Sequence, residues 1–313
     1  MRYWVKKTAA LLVTLLVAAF LTFLAFEVIP SDAAMTKLGL DATEEEIQAL
    51  REQLGLNRPL PLRYLSFLAD AVRGDFGNST QYGRSVGELL GGRLPVTLGL
   101  AFYSFFLIVA VSLPLGILSA RKHGSHGNGG FALLTQLMMA VPPFFLGMIL
   151  TLVFGIILKV FTPGAYVPAG EDFFGFLGFM FFPALSVAIP KIGMTVRFLQ
   201  NSLNEQLTAD YVRTAKSKGC NRRRVLWGHV LRNALVPVVT FLSMVMAEIL
   251  AGSIVIEQVF NLSGVGRLLA VSISHRDYPV VRAIILYATT VVILLNYLSD
   301  IACRMLDPRI RQI

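Results

Sequence analysis

Six apolar stretches, each long enough to cross a lipid bilayer, constrain this chain more than any other feature. They run over 8–29, 97–120, 131–158, 173–190, 234–256 and 280–303. A hydrocarbon core about 30 Å thick takes roughly 20 helical residues, and the backbone inside it must satisfy its own hydrogen bonds. The expected fold class is therefore all-α, a polytopic membrane protein with six transmembrane helices. Composition agrees, since 55% of the 313 residues are hydrophobic and only 15% are charged. The first run exceeds the apolar core of a signal peptide and no convincing cleavage site follows, so it is read as a retained span. The third run is too long for a straight crossing and contains Pro142-Pro143, which predicts a bent or broken helix. Broken membrane helices are tolerated where backbone lines a cavity, which makes Pro142 and Pro143 candidate cavity residues; a kinked structural helix fits equally well. Pro114 is expected to kink the second span. Lys191 and Arg197, beyond Pro190, are expected to snorkel to the inner surface.

Charge sets the orientation. Segments 1–8, 121–130, 191–233 and 303–313 hold seventeen of the twenty-eight Lys and Arg. The segment 30–95 holds nine acids and seven bases. The positive-inside rule then places both termini in the cytoplasm. The outer segment carries a capping box at Thr43–Glu46, a second amphipathic helix over 62–72 and a loop over 74–79. Two readings fit it: a cap on the outer face, or a surface meeting a substrate-delivering partner. The net charge of +9 sits in short loops and does not suggest nucleic acid. Cys220 and Cys303 imply neither a disulfide framework nor a metal pair, and the four histidines (His123, His126, His229, His275) are scattered.

Between the fourth and fifth spans lies a basic stretch, 205–237. Thr208 is a plausible N-cap, Asp210 falls in the first turn and Gly219 is a plausible stop. Leu207, Tyr211 and Ala215 repeat at i, i+4, i+8 and share one face. Lys216 and Lys218 suit the negative end of the helix dipole. A small amphipathic helix at the membrane surface and a solvated basic loop are both compatible with this composition.

Asp210-Tyr211-Val212-Arg213-Thr214-Ala215-Lys216-Ser217-Lys218-Gly219, followed by His229-Val230-Leu231-Arg232-Asn233-Ala234-Leu235-Val236-Pro237, closely resembles the coupling loop of ABC importer permeases. Arg213-Thr214-Ala215 replaces the general Glu-Ala-Ala, and His229-Val230-Leu231-Arg232 replaces Ile-x-Leu-Pro. Both departures are usual for the peptide and nickel branch. Leu54-Gly55-Leu56-Asn57-Arg58-Pro59-Leu60 and Gly74-Asp75-Phe76-Gly77-Asn78-Ser79 also resemble family patterns, and Ile29-Pro30-Ser31-Asp32-Ala33-Ala34 is a degraded version of a third. The tail 307–311 is family-like. The resemblance implies a type I importer permease fold (MetI-like) with its core over 94–303, an N-terminal helix over 1–30, an extracytoplasmic segment over 31–95 and a cytoplasmic tail over 304–313. It implies that the coupling loop, 205–233, docks on an ATPase through Leu207, Asp210, Tyr211, Arg213, Thr214, Ala215, Lys218 and Gly219. It implies as partners a second homologous permease, two ABC ATPase subunits and an extracytoplasmic substrate-binding protein. ATP and magnesium would sit on the ATPase subunits, with no cofactor on this chain, and the location would be the bacterial inner membrane. Di- or oligopeptides are the first-choice substrate, with nickel or a metal chelate as the alternative.

The loop between spans five and six, Glu257-Gln258-Val259-Phe260-Asn261-Leu262-Ser263-Gly264-Val265-Gly266 and then Arg276-Asp277-Tyr278-Pro279, resembles the family's outer-loop pattern, with Ser263 in place of the usual Pro. Gly264 and Gly266 are expected to allow a tight reversal. Arg276 and Asp277 are expected to pin it, and with Glu257 they form a candidate outer gate. Leu262–Gly266 superficially resembles an ATPase signature, but it lacks Gln and lies in an outer loop. No phosphate-binding Gly-x-x-x-x-Gly-Lys-Ser/Thr loop exists, so hydrolysis is assigned to a partner. No catalytic or metal constellation is evident. Glu248, inside the fifth span, is the most informative isolated charge, because a carboxylate at membrane depth usually faces a cavity or a partner. A substrate ammonium group, a metal cation and a structural hydrogen bond are all open as its contact. An ion-coupled carrier using Glu248 and Asp300, and a structural scaffold, are the readings from other classes.

Overall fold

The computed structural model describes residues 2–28, 43–53, 57–121 and 127–306. The expectations for 29–34, for 54–56, for the turn with His123 and His126, and for the tail from 307 lie outside the described residues. Among those described, regular structure is helical apart from an isolated antiparallel bridge, Asn78 to Ser85. Five helices are long and apolar enough to cross a membrane, and a sixth span results if one bent pair counts as a single crossing. The chain divides into two compact units, Met1–Leu94 with Leu268–Ile293, and Pro95–Arg267 with Leu294–Ile313.

In the first unit, α1 (Arg2–Val28) is crossed by the short helix α3 (Leu60–Arg73). Phe23 and Phe67 are buried together, Phe20 meets Tyr64 edge-on at 5.4 Å, and the Tyr64 hydroxyl donates to the Leu16 carbonyl at 2.8 Å. Glu27, near the end of α1, is ion-paired with Arg63 on α3. Helix α2 (Glu44–Gln53) begins with the expected capping box: Thr43 N–H donates to Glu46 Oε2 at 3.0 Å and Glu46 N–H to Thr43 Oγ1 at 3.4 Å. Two donors that helix geometry orphans are thereby satisfied. Helix α3 ends on left-handed Gly74, and the loop 74–79 follows with an Asx turn, Gly77 N–H to Asp75 Oδ1 at 2.9 Å.

Helix α4 (Val86–Arg121) runs through Pro95 and Pro114 into the second unit. Helix α5 (Gly127–Ala140) and helix α6 (Pro143–Leu150), which continues as a π-helical turn over Thr151–Ile157, meet at 87° across Pro142. The expected break is therefore present, and Pro143 occupies a first-turn position where its missing N–H costs nothing. Helix α7 (Phe173–Thr208) is the post of this unit, capped by Asp172 through the Phe174 and Gly175 amides at 3.0 Å. It is longer than the fourth apolar run, because Pro183 and Pro190 do not end it. Its buried residues, Met180, Ala184, Ala188, Val196, Leu199 and Leu203 among them, pack with α5, α6 and α10. After α7 come α8 (Asp210–Ser217), α9 (Arg222–Val225) and a π-helical turn leading into α10 (Leu231–Gly252). Ser202 ties α7 to α10 by donating to the Ala234 carbonyl at 2.9 Å. Two short helices, α11 (Ile254–Val259) and α12 (Val265–Ser274), precede the last span, α13 (Tyr278–Leu306).

Candidate functional site

Helix α8 is set off from α7 by one residue. Ala209 is extended (φ −64°, ψ 149°), which breaks the helix and turns the chain. Thr208 is not the N-cap that the sequence suggests. It is the last residue of α7, where its hydroxyl donates back to the Glu205 carbonyl at 2.8 Å, and the N-cap position of α8 falls to Ala209, which has no capping side chain. Gly219 closes α8 as expected. Its φ is +81°, its N–H bonds the Lys216 carbonyl at 2.9 Å, and the Cys220 N–H bonds the Ala215 carbonyl at 3.1 Å. This is a Schellman closure, and a side chain at 219 would be strained in it.

The two faces of α8 differ. Val212 is fully buried and Tyr211 and Ala215 pack against the same core, with the Tyr211 hydroxyl donating to Gln206 Oε1 at 2.9 Å. Leu207 packs there too, but the break at Ala209 leaves it on α7 and not on the shared helical face the i, i+4, i+8 spacing predicts. Asp210, Arg213, Thr214 and Lys218 are exposed, and the Arg213–Asp210 pair at 3.7 Å is open to solvent. The apolar stripe fastens the helix to its own chain, and the charged face is the one presented outward. Just beyond it, Asn221, Arg223, Arg224 and Trp227 line an open concavity of about 580 Å³ that sequence reasoning did not single out.

At the other end of α10 the chain reverses around Glu257. This side chain is completely buried, yet its carboxylate is well satisfied. Thr97 donates to Oε1 at 2.7 Å, Ser253 donates to Oε1 at 3.0 Å and the Arg267 amide donates to Oε2 at 2.8 Å. The Val265 amide donates in turn to the Thr97 hydroxyl at 2.8 Å. Glu257 thus caps the N-terminus of α12, where the helix dipole favours an anion. Burial pushes its carboxyl above the ordinary range, against the pull of these hydrogen bonds.

Gly264 and Gly266 sit against this cap, for a reason other than the expected one. Neither has a positive φ; the left-handed residue of the turn is Asn261, at φ +54°. They are glycines because space is short. A Cβ at 264 would lie 2.4 Å from Glu257 Cδ, and one at 266 would lie 2.7 Å from Ile254 Cα.

Arg276 and Asp277 part company. Arg276 takes φ +55° to close α12 and its side chain is exposed. Asp277 is fully buried and accepts from the Ser79 hydroxyl and from the Thr80 amide and hydroxyl, the latter two at 3.2 Å. The pin is therefore Asp277 with the loop 74–80, and Arg276 contributes backbone shape.

Glu248 lies on α10 with its side chain 63% exposed, and its Oε2 is 2.5 Å from Lys191 Nζ, whose side chain is 11% exposed. Lys191 does not snorkel as expected. Its side chain is nearly covered and its ammonium is turned onto the Glu248 carboxylate of α10 instead. The break at Pro142-Pro143 belongs to a different place: it directs α6 onto α11, where a Cβ on Gly147 would lie 3.0 Å from Phe260 Cε2.

Comparison with known proteins matches two adjoining families. Residues 112–312 match the binding-protein-dependent transport system inner membrane component, and residues 1–101 match the N-terminal part of such membrane components. A probable peptide ABC transporter permease protein of Sinorhizobium fredii is 31% identical over 309 residues, 99% of each chain. A putative peptide transport system permease protein of Brucella abortus is 34% identical over 306 residues, 98% of each chain. The oligopeptide transport system permease protein of Bacillus subtilis is 33% identical over 311 residues, again 98% of each chain. Among solved structures, the inward-facing MetNI methionine ABC transporter superposes with a TM-score of 0.52 at 15% identity, covering 70% of this chain and 96% of that one. That last likeness is one of fold.

Proposed function

Because the chain belongs to the inner-membrane permeases of binding-protein-dependent ABC importers, with the type I importer fold, we propose that it forms half of the membrane path of an ATP-driven importer of di- or oligopeptides. The observation that carries the substrate class is similarity over essentially the whole chain to proteins named as peptide permeases, at 31% to 34% identity. The exposed face of α8, with Asp210, Arg213, Thr214 and Lys218, is the contact for an ATPase subunit. Leu207, Tyr211, Ala215 and Gly219 hold that face in place. ATP and magnesium belong to two such subunits. A second, homologous permease completes the path, and an extracytoplasmic binding protein delivers the peptide. Both termini lie in the cytoplasm. The Glu257 cap with Gly264 and Gly266 shapes the outer end of its own unit, and Asp277, with the backbone of Arg276, holds the loop 74–80 in the other. Closure of the ATPases on ATP moves α8, and the contacts it makes must differ between the inward- and outward-facing states for coupling to occur.

The test is ATPase activity of the complete complex in proteoliposomes, with binding protein loaded from a panel of di- to hexapeptides or from nickel chelates. Stimulation by peptide-loaded protein is expected. Stimulation by nickel-loaded protein alone would replace the peptide reading with the metal one.

A further inference from the structure

The Lys191–Glu248 pair has no role in fastening α8 or in building the Glu257 cap. It joins the middle of α7 to α10 inside apolar spans, and it is lopsided. Lys191 is nearly covered, whereas Glu248 is 63% exposed, with only Oε2 engaged by the ammonium. Most of the Glu248 side chain is thus open at the surface of the chain. An outward carboxylate at membrane depth is poorly served by hydrocarbon, so this face fronts water or a polar partner. Its surroundings define that partner further. Met244, one turn earlier on α10, is 61% exposed, and Met194 and Phe198 on α7 are each 36% exposed. Phe198 stacks on Phe241 with centroids 4.5 Å apart. Thioether and aromatic surfaces adapt to side chains of different shape. One fixed anion among adaptable apolar groups suits a ligand with one constant cation and variable remainder.

Resting on the peptide reading above, we propose that Glu248, oriented by Lys191, is a subsite on the translocation path that receives the free α-ammonium group of the peptide in transit. Lys191 positions the carboxylate, and Met194, Phe198 and Met244 accommodate the side chains beside it.

Accessibility tests the placement. Glu248→Cys is introduced with Cys220→Ser and Cys303→Ala, and the assembled transporter in proteoliposomes is treated with a cationic, membrane-impermeant thiosulfonate. Labelling is expected, and it should slow when peptide-loaded binding protein and ATP put peptide in the path beside residue 248. No labelling in any nucleotide state, or labelling that peptide leaves unchanged, overturns the proposal. Slowing by nickel-loaded but not peptide-loaded binding protein keeps a cation subsite and overturns the peptide reading instead. The charge swap Lys191→Glu/Glu248→Lys separates substrate reading from support of the fold. The swapped complex is expected to keep its thermal stability and to lose peptide uptake about tenfold or more. Wild-type uptake by the swap means that the pair only holds α7 to α10.

Discussion

Two carboxylates of the same unit, Glu257 in the α11–α12 reversal and Glu248 on α10, solve the same problem in opposite ways. Glu257 is wholly enclosed and accepts from two hydroxyls and a backbone amide at a helix N-terminus. Among the described residues Glu248 is paired with Lys191, and its side chain is 63% exposed. A buried anion with both oxygens engaged is part of the architecture, since nothing else can reach it. A half-used anion in an apolar span is retained for what comes to it from outside. The distinction rests on how many donors converge, because both residues are single glutamates in apolar surroundings.

The strongest way to break this comparison is Glu257→Leu. It leaves Thr97, Ser253 and the Arg267 amide without their acceptor, and unsatisfied buried donors of this kind should cost about 3 kcal/mol or more together. The loss is read as a lower melting temperature in detergent. Gly266→Ala comes next. The new Cβ would lie 2.7 Å from the Ile254 Cα, and backbone cannot swing aside as a side chain can. A loss of about 2 kcal/mol is expected from overpacking, by the same measurement.

Smaller in stability but large in activity are changes on α8. Gly219→Ala forces a left-handed residue at φ +81° and should cost about 1 kcal/mol. Arg213→Glu, on the exposed face, should leave stability within about 0.5 kcal/mol and depress peptide-stimulated ATPase activity. Unchanged stimulation would remove Arg213 from the coupling contact. Tyr211→Asp is a poorer probe, because Tyr211 packs on its own chain's core.

The mildest case is a third carboxylate, Glu46, fully exposed in its capping box. Hydrogen bonds from the Thr43 amide and hydroxyl hold it below its ordinary value of 4.5. A depressed carboxylate contributes stability above its unfolded value and loses it as pH falls through the folded one. The protection factors of the amides over 44–53 should therefore fall as pH drops below 4.5, and Thr43→Ala, which removes the hydroxyl but keeps the backbone amide, should weaken that dependence without abolishing it.

What could be read in advance was local. Apolar length announces the spans, Pro142-Pro143 the break, Thr43 with Glu46 the cap and Gly219 the end of α8. Each signal lies within a few residues of its consequence. Thr208 shows the limit of that logic: the Thr-Ala-Asp pattern fits an N-cap, but α7 extends far enough to claim the residue. The Lys191–Glu248 pair joins residues fifty-seven apart, and Thr97 reaches Glu257 across 160 positions. Neither pairing leaves a periodic trace. Gly264 and Gly266 mark the right place for the wrong reason, because a turn glycine and a close-approach glycine look alike in sequence.

The most direct test places glutamine at each of the two sites and reads melting temperature and peptide uptake side by side in the assembled transporter. At Glu257 the amide must turn an N–H₂ toward a donor, so stability should fall. At Glu248 the amide oxygen still serves Lys191, so stability should hold while uptake falls. A Glu248→Gln complex that melts early, or one that transports like wild type, would contradict the division between an architectural and a transport carboxylate.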